Sequence, residues 1–110
     1  MSYRVYYCDT ERSAELAADG AKPATTAEIT ALMDQILTVG GGFVGVIDTD
    51  GGILQFLSGD DGSIGLEIPD PQRRGHYGKS ASLSECKRLL LAAPGRFRQE
   101  DIDGLLFEKW

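Results

Sequence analysis

The chain has 110 residues and sets 11 Lys and Arg against 17 Asp and Glu, a formal net charge of −6. That length supports a single domain, residues 1–110, which buries somewhat under about 70% of its unfolded surface and needs no covalent staple. The acidic balance argues against a nucleic-acid binder, which needs a basic stripe to neutralise phosphates, and makes a basic protein partner the easier match.

At the N-terminus, Met-Ser-Tyr-Arg-Val has no charged segment followed by an apolar one, and the apolar runs are too short to span a bilayer. The two cysteines, Cys8 and Cys86, lie far apart without a secretion signal. Reduced thiols and a cytoplasmic location are therefore expected. Tyr3, Val5 and Tyr7 alternate with Arg4, Tyr6 and Cys8, a β-branched and aromatic period-two run that predicts a first strand joining the main sheet. From Asp9 to Pro23 the composition predicts at most a short surface helix over Glu11 to Ala18, followed by a loop.

Thr25-Thr26-Ala27-Glu28 matches a capping box, in which hydroxyl and carboxylate satisfy each other's backbone amides. Ile29, Leu32, Met33, Ile36 and Leu37 then follow helical spacing, predicting a helix from Thr26 to Val39 that Gly40 ends. Between Gly40 and Pro69 lie three short apolar runs, Phe43 to Ile47, Ile53 to Ser58 and Ser63 to Ile68, punctuated by two Asp-Gly turn signals. This predicts a three-stranded meander over residues 43–68. With an even number of residues in each loop, Val44, Val46, Ile53, Gln55, Leu57, Ile64, Leu66 and Ile68 share the core face. Phe56 then lies on the second face, laid over strand glycines together with Glu67.

After the meander, Pro69-Asp70-Pro71 is expected to break the ladder. Gln72 to Lys79 reads as a polar, mostly basic connection with room for one edge strand. Ser82-Leu83-Ser84-Glu85 is a second capping box, and Leu83, Cys86, Leu89, Leu90 and Ala93 predict a second helix, Leu83 to Ala93, stopped by Pro94-Gly95. The tail from Arg96 to Trp110 fits a helical turn followed by a strand; a closing edge strand and a cover for the second sheet face both suit its spacing. The fold class is α+β, with both amphipathic helices packed on one face of an antiparallel sheet.

Tests for chemistry return little. Gly40-Gly41-Gly42 leaves a helix and enters a strand, the reverse of a phosphate-binding loop. Gly78-Lys79-Ser80 lacks the upstream glycine of a P-loop. His76 is the one histidine, and it reads as an exposed loop residue; neither a metal site nor a Ser/His/Asp constellation has the required spacing. Asp48 and Asp50 sit at one end of the meander and Asp60 and Asp61 at the other, so they cannot share an ion. No catalytic residue, metal or cofactor is expected.

In its order of elements (strand, capped helix, meander, basic connection, Ser-led second helix and a tail ending in an aromatic) the chain resembles the small acidic immunity proteins of bacterial polymorphic-toxin and contact-dependent inhibition systems. The resemblance covers Thr25 to Trp110, most closely Phe43 to Ile68, Ser80-Ala81-Ser82-Leu83-Ser84-Glu85 and the late Trp110. It implies a non-catalytic inhibitor that binds and blocks a cognate toxin enzyme of nuclease or deaminase type. On that basis a basic toxin domain is expected to dock on the acidic turns Asp48, Asp50, Asp60 and Asp61, helped by Glu67 and by Phe56 as an apolar anchor. A small ligand-binding or regulatory α+β domain, using the second sheet face as a pocket, is the alternative.

Overall fold

A computed structural model describes residues 3–38 and 40–110. It is an α+β fold built on one antiparallel sheet. The strands are β1 (Tyr3–Asp9), β2 (Ala14–Leu16), β3 (Lys22–Ala24), β4 (Phe43–Ile47), β5 (Ile53–Ser58), β6 (Ile64–Asp70), β7 (Gly75–Ala81) and β8 (Leu106–Lys109); the helices are α1 (Thr26–Ile36) and α2 (Leu83–Ala92). Across the sheet the order is β2-β1-β4-β5-β6-β7-β8, and β3 also pairs with β1. No helix among the described residues is long and apolar enough to cross a membrane.

Local chemistry explains the helix boundaries. Thr25 Oγ1 accepts from the Glu28 amide at 3.1 Å and the Thr25 amide donates to Glu28 Oε1 at 2.9 Å, so the capping box is closed in both directions. Ser82 Oγ likewise accepts from the Glu85 amide at 3.2 Å. The Glu85 carboxylate, however, meets Lys79 Nζ at 3.1 Å, so the structure shows only the hydroxyl half of the second box. Helix α1 ends sooner than its apolar spacing predicts, with Leu37 as C-cap; Val39 lies outside the described residues. The Leu37 carbonyl accepts from buried Ser58 Oγ at 3.0 Å, which gives the helix end a partner and anchors it to β5.

Three segments are more ordered than their composition suggests. The stretch expected to hold a surface helix over Glu11 to Ala18 instead supplies β2 and β3, which pair with opposite halves of β1. Strand β6 runs through Pro69 to Asp70; the β5 ladder has already ended at Gln55–Glu67, so a proline there does no harm on that side. The basic connection folds as β7, an inner strand between β6 and β8. The tail forms a 3-10 turn over Gln99–Asp101 and then the edge strand β8.

The register of the meander departs from even-loop pairing. Ile47 pairs with Ile53 and Ser58 with Ile64, leaving residues 48–52 and 59–63 between the ladders, five in each case. In each turn the outermost pair is joined by backbone hydrogen bonds, the Asp48 amide to the Gly52 carbonyl at 2.9 Å and the Gly59 amide to the Ser63 carbonyl at 2.9 Å. Three residues remain, ending on Gly51 and Gly62 at φ of 85° and 84°. That is the geometry of a type I turn followed by a left-handed glycine. The first odd loop inverts β5 relative to the expected register, and the second restores β6. Val44, Val46, Leu66 and Ile68 therefore do share a buried face, but Leu54 and Phe56 join them, and Ile53, Gln55 and Leu57 turn to the other side.

Both helices pack on this face, in one cluster that contains Ile29, Met33, Ile36, Cys86 and Leu90 together with the strand residues. Phe56 is 0% exposed and Leu57 is 36% exposed. Phe56→Ala is expected to destabilise by about 3 to 5 kcal/mol, whereas Leu57→Ala loses under about 1 kcal/mol because little of a cavity forms there. Urea unfolding of the two variants measures this, and the reverse order would contradict the register.

Candidate functional site

The side of the sheet opposite the helices divides into two parts. Across β1, β4 and β5 it shields itself. Tyr6 lies flat on Gly45, where a Cβ would run into its ring, and packs edge-on to Phe43 with centroids 6.2 Å apart. An aromatic over a strand glycine is the arrangement anticipated for Phe56; Tyr6 occupies it instead, and Phe56 is in the core.

From β5 to β8 the face is open and carries a line of polar contacts. Tyr6 Oη donates to Gln55 Oε1 at 2.6 Å, and Gln55 Nε2 donates to Glu67 Oε1 at 3.3 Å. Next, His76 Nε2 lies 3.2 Å from Glu67 Oε2 and 3.7 Å from Glu108 Oε2. Finally, Trp110 Nε1 donates to His76 Nδ1 at 3.0 Å. A nitrogen that accepts cannot carry the hydrogen, so the network assigns the imidazole hydrogen to Nε2, facing the carboxylates. The Trp110 amide also donates to the Arg74 carbonyl at 2.8 Å, which fixes the chain end beside β7. His76 is thus an inner-strand residue with a 17% exposed side chain, not an exposed loop residue.

This arrangement does not assemble a general base and nucleophile. Both His76 nitrogens are engaged, and Ser80, four residues along the same strand, stands about 13 Å away at strand rise. Among the described residues no group of three or more His, Cys, Asp or Glu side chains could hold a metal ion. What the face does offer is shape and exposed apolar surface. A depression of about 450 Å³ lies over β6, β7 and β8, and its lining includes Gly65, Gly78, Ser80 and Leu106 with the titratable residues Glu67, His76, Lys79 and Glu108. Leu57, Leu106 and Trp110 are exposed around it, Leu106 at 77%. A cleft between α2 and the tail encloses about 70 Å³, too little for a drug-sized ligand.

The acidic residues singled out by sequence have different situations. Asp48 is 3% exposed. Its Oδ1 accepts from the amides of Asp50 at 2.8 Å and Gly52 at 2.7 Å, and its Oδ2 from the Phe97 amide at 2.8 Å. It shapes the first turn and ties down the tail, and is not offered to a partner as expected. Phe56, in the core, is likewise removed from any docking surface. Asp50, Asp60 and Asp61 are exposed. Asp61 Oδ1 accepts from Ser63 Oγ at 2.6 Å and the Ser63 amide at 3.0 Å. Glu67 lies on the sheet face expected for it and is half-buried there. The sequence reading missed Gln55, His76, Leu106 and Glu108; their signal was the strand parity, which depended on the loops. The Gly40 to Gly42 run serves packing, since a Cβ on Gly42 would meet the Ile36 carbonyl oxygen at 2.9 Å.

No protein-family model, curated protein or solved structure matches the chain.

Two limbs of pH dependence follow from these hydrogen bonds. The Gln35 amide holds the Asp9 carboxyl below the usual range, the Thr25 amide does so for Glu28, and the Ser63 hydroxyl for Asp61. Groups with lowered folded values stabilise above their ordinary pKa, 3.8 for Asp and 4.5 for Glu. That contribution disappears as pH falls through the folded values. Burial pushes the Cys86 thiol up to about 11 from 9.0, so its contribution is complete below 9.0 and lost as pH rises through about 11. Thermal melts across pH are expected to decline at both ends, with the alkaline decline reduced in Cys86→Ala relative to its own neutral value.

Trp110 is the one tryptophan, so its fluorescence reports the polar line directly. His76→Ala is expected to lower Trp110 anisotropy, and His76→Gln, which restores an acceptor, to recover part of it. Identical anisotropy in all three proteins would mean the indole is not held by His76.

Proposed function

We propose that this chain is a non-catalytic protein-binding domain of immunity type, which binds a toxin enzyme and blocks it. The observation that carries the reading is the asymmetry of the sheet. Both helices pack against one face, while the other, over β6 to β8, exposes Leu106 and Trp110 around a depression with acidic residues. Exposed aromatic and aliphatic anchors beside fixed polar groups are the makings of an interface core. The polar groups there are paired with one another, which favours recognition over turnover. The net charge of −6 and the exposed Asp50, Asp60 and Asp61 suit a basic partner and speed its approach. The acidic sequence and order of elements resemble those of immunity proteins, which makes a toxin the partner of choice.

The reading predicts that a large secreted protein with a small C-terminal enzymatic domain is encoded beside this chain, and the test uses that domain. The wild-type chain is expected to co-purify with that domain and to abolish its turnover. Leu106→Asp and Trp110→Ala, with unchanged circular dichroism, are each expected to weaken binding by about tenfold or more, chiefly through faster dissociation. Asp60→Asn with Asp61→Asn should instead slow association and flatten its salt dependence. A wild-type chain that neither binds nor inhibits the neighbouring enzyme would overturn the reading.

A further inference from the structure

The depression on the open face is a trough with a defined chemistry. Gly65 and Gly78 form its floor and Leu106 one wall, Ser80 lies at one end, and Glu67 and Glu108 stand at the other beside His76. The backbone does not require glycine at position 65. Its φ is outside the left-handed region, and a Cβ there would meet nothing nearer than the Leu57 carbonyl oxygen at 3.9 Å. Glycine weakens a strand interior and often marks a place where another group approaches closely.

Resting on the protein-binding reading above, we propose that the trough receives an arginine side chain of the partner. Its methylenes lie across the open Gly65 and against Leu106, and its guanidinium forks between Glu67 and Glu108. The charge matches: two carboxylates face the trough end, Lys79 in the lining is neutralised by Glu85 at 3.1 Å, and Trp110 fixes His76 with its hydrogen toward the carboxylates. The acceptors are available as well. Glu67 meets Gln55 and His76, one on each oxygen, but a carboxylate has about four acceptor sites; Glu108 is 78% exposed. A planar guanidinium with five donors can bridge two carboxylates, which a point-like ammonium does less well. Arginine is also the charged residue most favoured among interface anchors.

The test is a nitrogen-15 amide titration of the intact chain with N-acetyl-arginine methylamide, its neutral citrulline counterpart and the leucine derivative. Arginine is expected to give saturable shifts at Gly65, Gly78, Ser80 and Leu106 and at the Trp110 indole. Citrulline and leucine should bind about tenfold more weakly, as expected for loss of a charge-assisted contact. Glu67→Gln with Glu108→Gln should weaken arginine by a similar factor. Gly65→Val, which fills the trough while suiting a strand, should abolish the shifts with the fold retained. Equal response to arginine and citrulline, shifts centred on Asp60 and Asp61, stronger binding of leucine, or no saturable response would each overturn the proposal. Because the probe is a free amino-acid derivative, this result and the toxin-binding result can fail separately.

Discussion

Both hairpins of the meander end their three-residue loops on a glycine held near φ 85°, Gly51 in the first and Gly62 in the second. That backbone conformation is open to glycine and strained for most other residues. It gives each loop an odd length, and an odd length decides which side of the sheet every residue of β5 occupies. Phe56 and Leu54 enter the core only because of it. With Phe56 outside, the helices would meet Gln55 in its place, and a buried amide without a partner is destabilising. Asp48 reinforces the choice: its carboxylate collects amides from its own turn and from Phe97 in the tail, so the first hairpin and the C-terminal segment are held by one side chain. Gly52 must be small for the same reason, since a Cβ there would meet Asp48 Oδ2 at 2.5 Å.

The two sides of the sheet then follow different physics. The helix side is a continuous apolar cluster, with Tyr3 and Phe97 stacked at 5.2 Å at its border. Its polar members are few and paired: Ser58 donates to the end of α1, and Lys79 meets Glu85 at the start of α2. On the other side Tyr6 covers Gly45, and its hydroxyl starts a line of contacts that reaches Trp110 through one side chain per strand from β5 to β7. Cross-strand pairs of this kind hold neighbouring strands in register. They also place the chain's one histidine between two carboxylates with its orientation set.

A surface made this way suits recognition. Its polar groups are oriented before a partner arrives, which reduces the ordering penalty of binding. Its apolar residues, Leu106 on the edge strand and Trp110 just past its end, are where a second molecule can reach them. The exposed aspartates of the two turns lie at opposite ends of β5, about 17 to 20 Å apart at strand rise. In the complex proposed above, that spacing makes them act on a partner's approach over distance more than as one contact patch, with short-range contacts falling to the residues between them.

By itself the sequence determined the elements whose signals are local. The Thr25 capping box, the helical spacing from Ile29 to Leu37, the Ser82 start of α2 and the three apolar runs of the meander each depend on residues a few positions apart, and each is present in the structure. The α+β class and the shared burial of Val44, Val46, Leu66 and Ile68 were legible for that reason. Only the tertiary structure decided what depends on distant pairing. An Asp-Gly signal fits loops of either parity, so the face of Phe56 waited on Asp48–Gly52 closure. The 14–16 and 22–24 segments became strands because β1 was there to pair with them, and the basic stretch after Pro71 became an inner strand because β8 returned to cover its edge. The candidate site fell in this second category. Gln55, Glu67, His76, Glu108 and Trp110 span 56 positions of sequence, and nothing short of the assembled sheet brings them into one line.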